Sequence, residues 1–135
     1  MDGYRSAVAE RDGPIVWIID AEQWPRALLR AQLIEHGYDA IGFVRLRHAL
    51  LALKLGPPAY PAPRAIVIDV VGQGASADDL GRLAAAGVPL IAIAGAVERA
   101  DPAVAAAPWA ALLPRPVTLG AIEDAVAHIV PTASR

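Results

Sequence analysis

Ile15-Val16-Trp17-Ile18-Ile19-Asp20 and Ala65-Ile66-Val67-Ile68-Asp69 are two short apolar runs that each stop at an aspartate. Apolar, mostly β-branched runs bounded by polar or turn residues have the pattern of strands buried on both faces. Such strands build parallel sheets, in which ligands and chemistry sit at the carboxyl ends of the strands. The two aspartates therefore stand where a site would be assembled.

Working outward, Gln23–His36 carries Leu28, Leu29, Leu33 and Ile34 at helical spacing, with Gly37 as a C-terminal stop. Tyr38–Phe43 reads as a short second strand. Leu46–Leu55 reads as a helix through Leu46, Leu50 and Leu53, ended by Gly56-Pro57-Pro58. Pro57, Pro58, Pro61 and Pro63 make the next stretch an extended surface connection. After Asp69, Gly72-Gln73-Gly74 reads as a flexible turn, and Ser76 with Asp79 matches a capping box that opens a helix to Ala86, closed by Gly87. Val88–Ala94 is a fourth apolar run, and Pro102 and Pro108 confine the helix that follows to a few alanine-rich turns. Ala111–Pro114 is a brief fifth strand. Thr118 caps a last helix through Leu119, Ile122, Val126 and Ile129, which Pro131 ends. Five strands alternating with five helices specify the α/β class: a flavodoxin-like (βα)5 three-layer sandwich with a five-stranded parallel sheet in the order 2-1-3-4-5. In that order the first and third strands are central neighbours, so Asp20 and Asp69 lie side by side.

The 135 residues suit one domain that buries a core without staples. Residues 1–13 mix charged and small residues and read as a flexible N-terminal tail, residues 14–130 as the folded domain, and residues 131–135 as a C-terminal tail. The chain has no cysteine, which excludes disulfides and thiolate metal sites and leans towards the cytoplasm. A mean hydropathy of +0.41 comes largely from alanine. No apolar stretch approaches the roughly 20 residues needed to span a bilayer, so no membrane association is expected. The net charge of −2 gives no electrostatic reason to expect nucleic acid. Arg26, Arg30, Arg45 and Arg47 read as solvated faces of two helices, and His36, His48 and His128 as surface residues without metal-ligand spacing. Gly72-Gln73-Gly74 lacks the lysine of a phosphate loop, and no Ser-His-Asp or Cys-His arrangement has interpretable spacing.

From about Pro14 to Val130 the chain resembles the receiver domain of bacterial two-component response regulators, the CheY-like superfamily. The family has an acidic pair after strand one, a phosphoacceptor aspartate after strand three, a Ser or Thr after strand four and a Lys-Pro after strand five. The resemblance puts Asp69 at the phosphoacceptor position, within Ile68-Asp69-Val70-Val71, and Asp20 with Glu22 in the acidic cluster. Three positions depart from the pattern. Ala21 follows Asp20 where the family has a second, magnesium-binding carboxylate, and magnesium binds through few well-placed oxygens. Ala94 holds the hydroxyl position and cannot donate a hydrogen bond to a phosphoryl group. Arg115 holds the lysine position, before Pro116, a candidate for a cis bond. Its planar fork suits a carboxylate, so a direct contact with Asp69 or Asp20 is expected in the space a metal would use. The family's switch aromatic falls at Leu112.

These departures lead to an atypical pseudo-receiver that signals through protein–protein interaction, with no reaction and no cofactor expected. Two alternatives stay open. One is a phosphorylatable receiver that takes a phosphoryl group onto Asp69 from a histidine kinase, with Mg2+. The other is the N-terminal regulatory half of a nucleic-acid-binding regulator. The implied partner is another signalling protein, whether kinase, regulator or effector, or a second copy of the chain meeting it through the last helix and fifth strand. Trp24, Trp109 and Leu112 are the interface candidates, since exposed tryptophans often anchor contacts. Alternatively the two tryptophans fold over local apolar surface.

Overall fold

The computed structural model describes residues 13–132; the expectations for residues 1–12 and 133–135 lie outside them. Strands β1 (Ile15–Ile19), β2 (Asp39–Phe43), β3 (Ala65–Asp69), β4 (Leu90–Ala94) and β5 (Ala111–Pro114) form one parallel sheet in the order β2-β1-β3-β4-β5. The helices are α1 (Gln23–Glu35), α2 (Leu46–Leu55), α3 (Ala77–Ala84), α4 (Ala96–Ala100), α5 (Pro102–Ala106) and α6 (Leu119–Ile129). This is the flavodoxin-like three-layer sandwich.

Alternation along each strand sorts the core into two layers. Trp17, Ile19, Ile66, Ile68, Leu90 and Ala92 face α2, α3 and α5. Val16, Ile18, Ala65, Val67, Ile91 and Ile93 face α1 and α6. Every residue of β3 and β4 is buried, which accounts for their unbroken apolar sequence.

The region after β4 divides into two helices instead of one. Pro102 cannot supply the N–H that would continue α4, so the chain extends at Asp101 (ψ 123°) and restarts with Pro102 in the first helical turn. The Asp101 carboxylate accepts from Ala103 N at 2.9 Å and caps the second helix.

Gly13, placed in the flexible tail by sequence, is fitted against the fold: a Cβ there would stand 2.0 Å from the Gly37 carbonyl oxygen. His36 also departs from its surface assignment. It is half-buried, and its Nδ1 lies 2.5 Å from Oε2 of the buried Glu123 on α6. His48 and His128 are exposed.

Candidate functional site

Because Ile19 pairs with Ile68 in the β1–β3 register, Asp20, the residue after β1, and Asp69, the last of β3, stand side by side at the carboxyl edge of the sheet. Both are nearly buried, at 8% and 4% exposure. Asp20 N donates to Phe43 O at 3.0 Å, which fixes the backbone, and Asp20 Oδ1 accepts from Glu22 N at 2.9 Å. Burial raises the Asp20 carboxyl above its ordinary value of 3.8, aided by the negative charge of Glu22 and opposed by that backbone bond and by Arg115 and Arg26.

Asp69 has both carboxylate oxygens engaged. Oδ1 accepts from Val71 N at 3.0 Å, and Oδ2 accepts from Arg115 Nη2. Arg115 is delivered by the end of β5, where its backbone N donates to Ala94 O at 3.1 Å and its peptide bond to Pro116 is cis. The ion pair is asymmetric: the Asp69 side chain is 5% exposed and that of Arg115 43%. Of the two partners, the guanidinium is thus the one that faces solvent.

The other positions around the pair are small or turned away. Ala94 is fully buried and presents only a methyl group. Ala21 lies beside the loop after β3, 3.7 Å from where a Cβ on Gly72 would be. Glu22 is exposed at the N-cap of α1 and makes no side-chain capping bond. Glu98, which the sequence did not single out, accepts from Gly95 N with Oε1 at 2.9 Å, and a Cβ on Gly95 would stand 3.9 Å from Arg115 Cδ.

A magnesium ion would need several oxygens aimed at one point. One Asp69 oxygen carries a guanidinium and the other a backbone N–H, Asp20 is bonded to its own helix start, and Ala21 adds no oxygen. Among the described residues no group of three acidic, histidine or cysteine side chains forms a metal cluster. The donor set does not fit the ion.

The loop that follows Asp69 is pinned, in contrast to the flexible turn expected. Gln73 Oε1 accepts from Leu46 N at 2.9 Å, its Nε2 donates to Val44 O at 3.1 Å, and Arg45 Nη1 donates to Gly72 O at 2.9 Å. Arg26 and Arg30 likewise brace backbone, through Asp20 O and Ala40 O, each at 2.8 Å. Three of the four arginines assigned to solvated helix faces therefore tie loops and strand ends together. Sequence reasoning missed them because their acceptors are carbonyls that only the fold brings near.

Trp24 stands 72% exposed near the start of α1. Trp109 instead packs against the first core layer and donates from Nε1 to Val104 O at 2.7 Å. Leu112 is 38% exposed on the edge strand β5.

Comparison with solved structures finds the same architecture. A response regulator receiver protein from Pseudomonas putida matches with a TM-score of 0.70 and 26% identity, over 86% of this chain and 97% of that one. The signal receiver domain of a modulated diguanylate cyclase from Desulfovibrio desulfuricans G20, titled an example of alternate folding, matches with a TM-score of 0.68 and 26% identity, over 87% and 94%. A response regulator receiver protein from Burkholderia phymatum matches with a TM-score of 0.68 and 23% identity, over 88% and 99%. No family model matches the chain, and no curated protein matches it. The fold is that of a CheY-like response regulator receiver domain. It is the fold of signal-transduction modules in two-component systems. No helix among the described residues is long and apolar enough to cross a membrane.

Proposed function

We propose that this chain is a pseudo-receiver: a signalling module that works through protein–protein contacts and does not use phosphorylation of Asp69. The observation that carries this reading is the Arg115–Asp69 ion pair, which engages one of the two acceptor oxygens with a cation of the chain itself. Ala94 offers no hydroxyl to hold a phosphoryl oxygen, and Ala21 no carboxylate to hold a metal. A tethered cation takes the place of a diffusible one, so the site is held in one state by the chain itself. The partner is another signalling protein, and Trp24, open on α1, is a candidate anchor for it.

The competing reading, a working acceptor, is favoured by one observation, the survival of Asp20 beside Asp69 at the edge of the sheet. Incubation with a small acyl phosphate and Mg2+, read by intact mass beside an Asp69→Asn control, separates the two. A pseudo-receiver keeps its mass. A working acceptor gains one phosphoryl group that Asp69→Asn abolishes.

A further inference from the structure

Away from the carboxyl edge, α2 and α3 leave an open groove of about 840 Å3 between them. Its floor is apolar: Leu50 and Leu53 are half-buried against the first core layer. Leu51, 56% exposed, lines the groove, and Leu55, one helical turn further on the same face of α2 and 57% exposed, stands beyond its end. An exposed leucine in the groove with a second one helical turn on is more than scattered surface apolar residues, which need no explanation.

Positive charge also predominates in the groove. Arg47, Lys54 and Arg82 stand on its rim, and Asp79 is the single carboxylate among the lining residues. Asp79 is committed to the start of α3, where it completes the capping box with Ser76. Arg82 already pairs with Asp78 at 3.0 Å, leaving Arg47 and Lys54 as the cations that α2 itself presents. From Ala40 to Ile68 the sequence holds Arg45, Arg47, Lys54 and Arg64 and no acidic residue, in a chain whose net charge is −2. Two of these, Arg47 and Lys54, lie on α2, which carries no carboxylate and also exposes leucine.

We infer that this groove docks an acidic amphipathic helix of a partner protein, with apolar side chains at i, i+3 and i+4 between Leu50, Leu51 and Leu55 and flanking carboxylates on Arg47 and Lys54. The surface is separate from Asp69 and stands whether or not that site accepts phosphate. The eight residues of α3 give the groove a length of about 12 Å, room for roughly two helical turns. A contact that short belongs with small, transient interfaces, so dissociation constants in the range of about 10–500 μM are expected.

The test uses a fluorescein-labelled helical peptide with leucines on one face and glutamates on both flanks, and a twin with lysines in place of the glutamates, read by anisotropy. The glutamate peptide binds saturably and weakens as salt rises; the lysine twin does not bind. Leu51→Glu costs at least about tenfold in affinity. The double reversal Arg47→Glu with Lys54→Glu transfers binding to the lysine twin. These side chains are exposed, and an unchanged thermal melt checks that each variant folds. Equal binding of both peptides, no binding of either, or full binding by Leu51→Glu would each overturn the inference. So would sedimentation showing a dimer that Leu51→Glu dissolves, which makes the occupant a second copy. Co-sedimentation with anionic phosphatidylserine vesicles in place of peptide binding would likewise assign the surface to a membrane.

Discussion

At the scale of the residue, the Arg115 guanidinium supplies Asp69 with a positive counter-charge from the end of β5. Removing it leaves a nearly buried carboxylate without its counter-charge. Because Arg115 is half exposed, the loss falls below that of a fully buried pair: Arg115→Met should cost about 1–2 kcal/mol by urea denaturation. The double variant with Asp69→Asn should lose less than the two single losses added, since the partners are in contact. Asp20 behaves oppositely. Its carboxyl is raised in the folded state, so the native chain holds more protons than the unfolded one between the ordinary and the raised value. Stability from this group is greatest in acid and falls as pH rises through that window. Asp20→Asn should therefore stabilise at pH 7, read as a higher Tm than the native chain, while keeping an oxygen for Glu22 N. The gain should vanish below the ordinary carboxylate range.

At the scale of the element, what could be read from sequence was what is encoded locally. The capping box at Ser76 and the Thr118 cap depend on residues within three positions of each other, and both form: Asp79 N donates to Ser76 Oγ at 3.1 Å and Ala121 N to Thr118 Oγ1 at 3.0 Å. Ser76→Ala should cost about 1 kcal/mol, seen as a lower melting temperature with no change of fold. The split between α4 and α5 was only half legible. Pro102 announced an interruption, but the restart depended on Asp101 turning its carboxylate onto Ala103 N. The bracing by Arg26, Arg30, Arg45 and Gln73 was not legible at all, because each spans elements whose separation the sequence does not state. Trp109 takes the second of its two sequence readings, folded over local apolar surface beside Pro108, with its indole N–H donating to Val104 O.

At the scale of the whole molecule, the alternation of buried runs with helical periods carried the sheet order, and the order carried the juxtaposition of Asp20 and Asp69. Long-range polar ties complete the architecture. Tyr38 Oη donates to Val130 O at 2.5 Å across 92 residues and fastens the end of α6 to the start of β2. Tyr38→Phe leaves that buried carbonyl without its donor and should cost about 1–3 kcal/mol, with faster amide exchange concentrated in α6. The receiver fold is thus intact, with Arg115 paired to Asp69 at its carboxyl edge, and the proposed loss of phosphorylation rests on that pair. The direct test is to restore the three altered positions together, as Ala21→Asp, Ala94→Thr and Arg115→Lys, and to expose this variant and the native chain to an acyl phosphate with Mg2+. Intact mass should show a phosphoryl group on the restored variant, lost on Asp69→Asn, and none on the native chain. A native chain that gains the group to the same extent as the restored variant would contradict a site closed by Arg115.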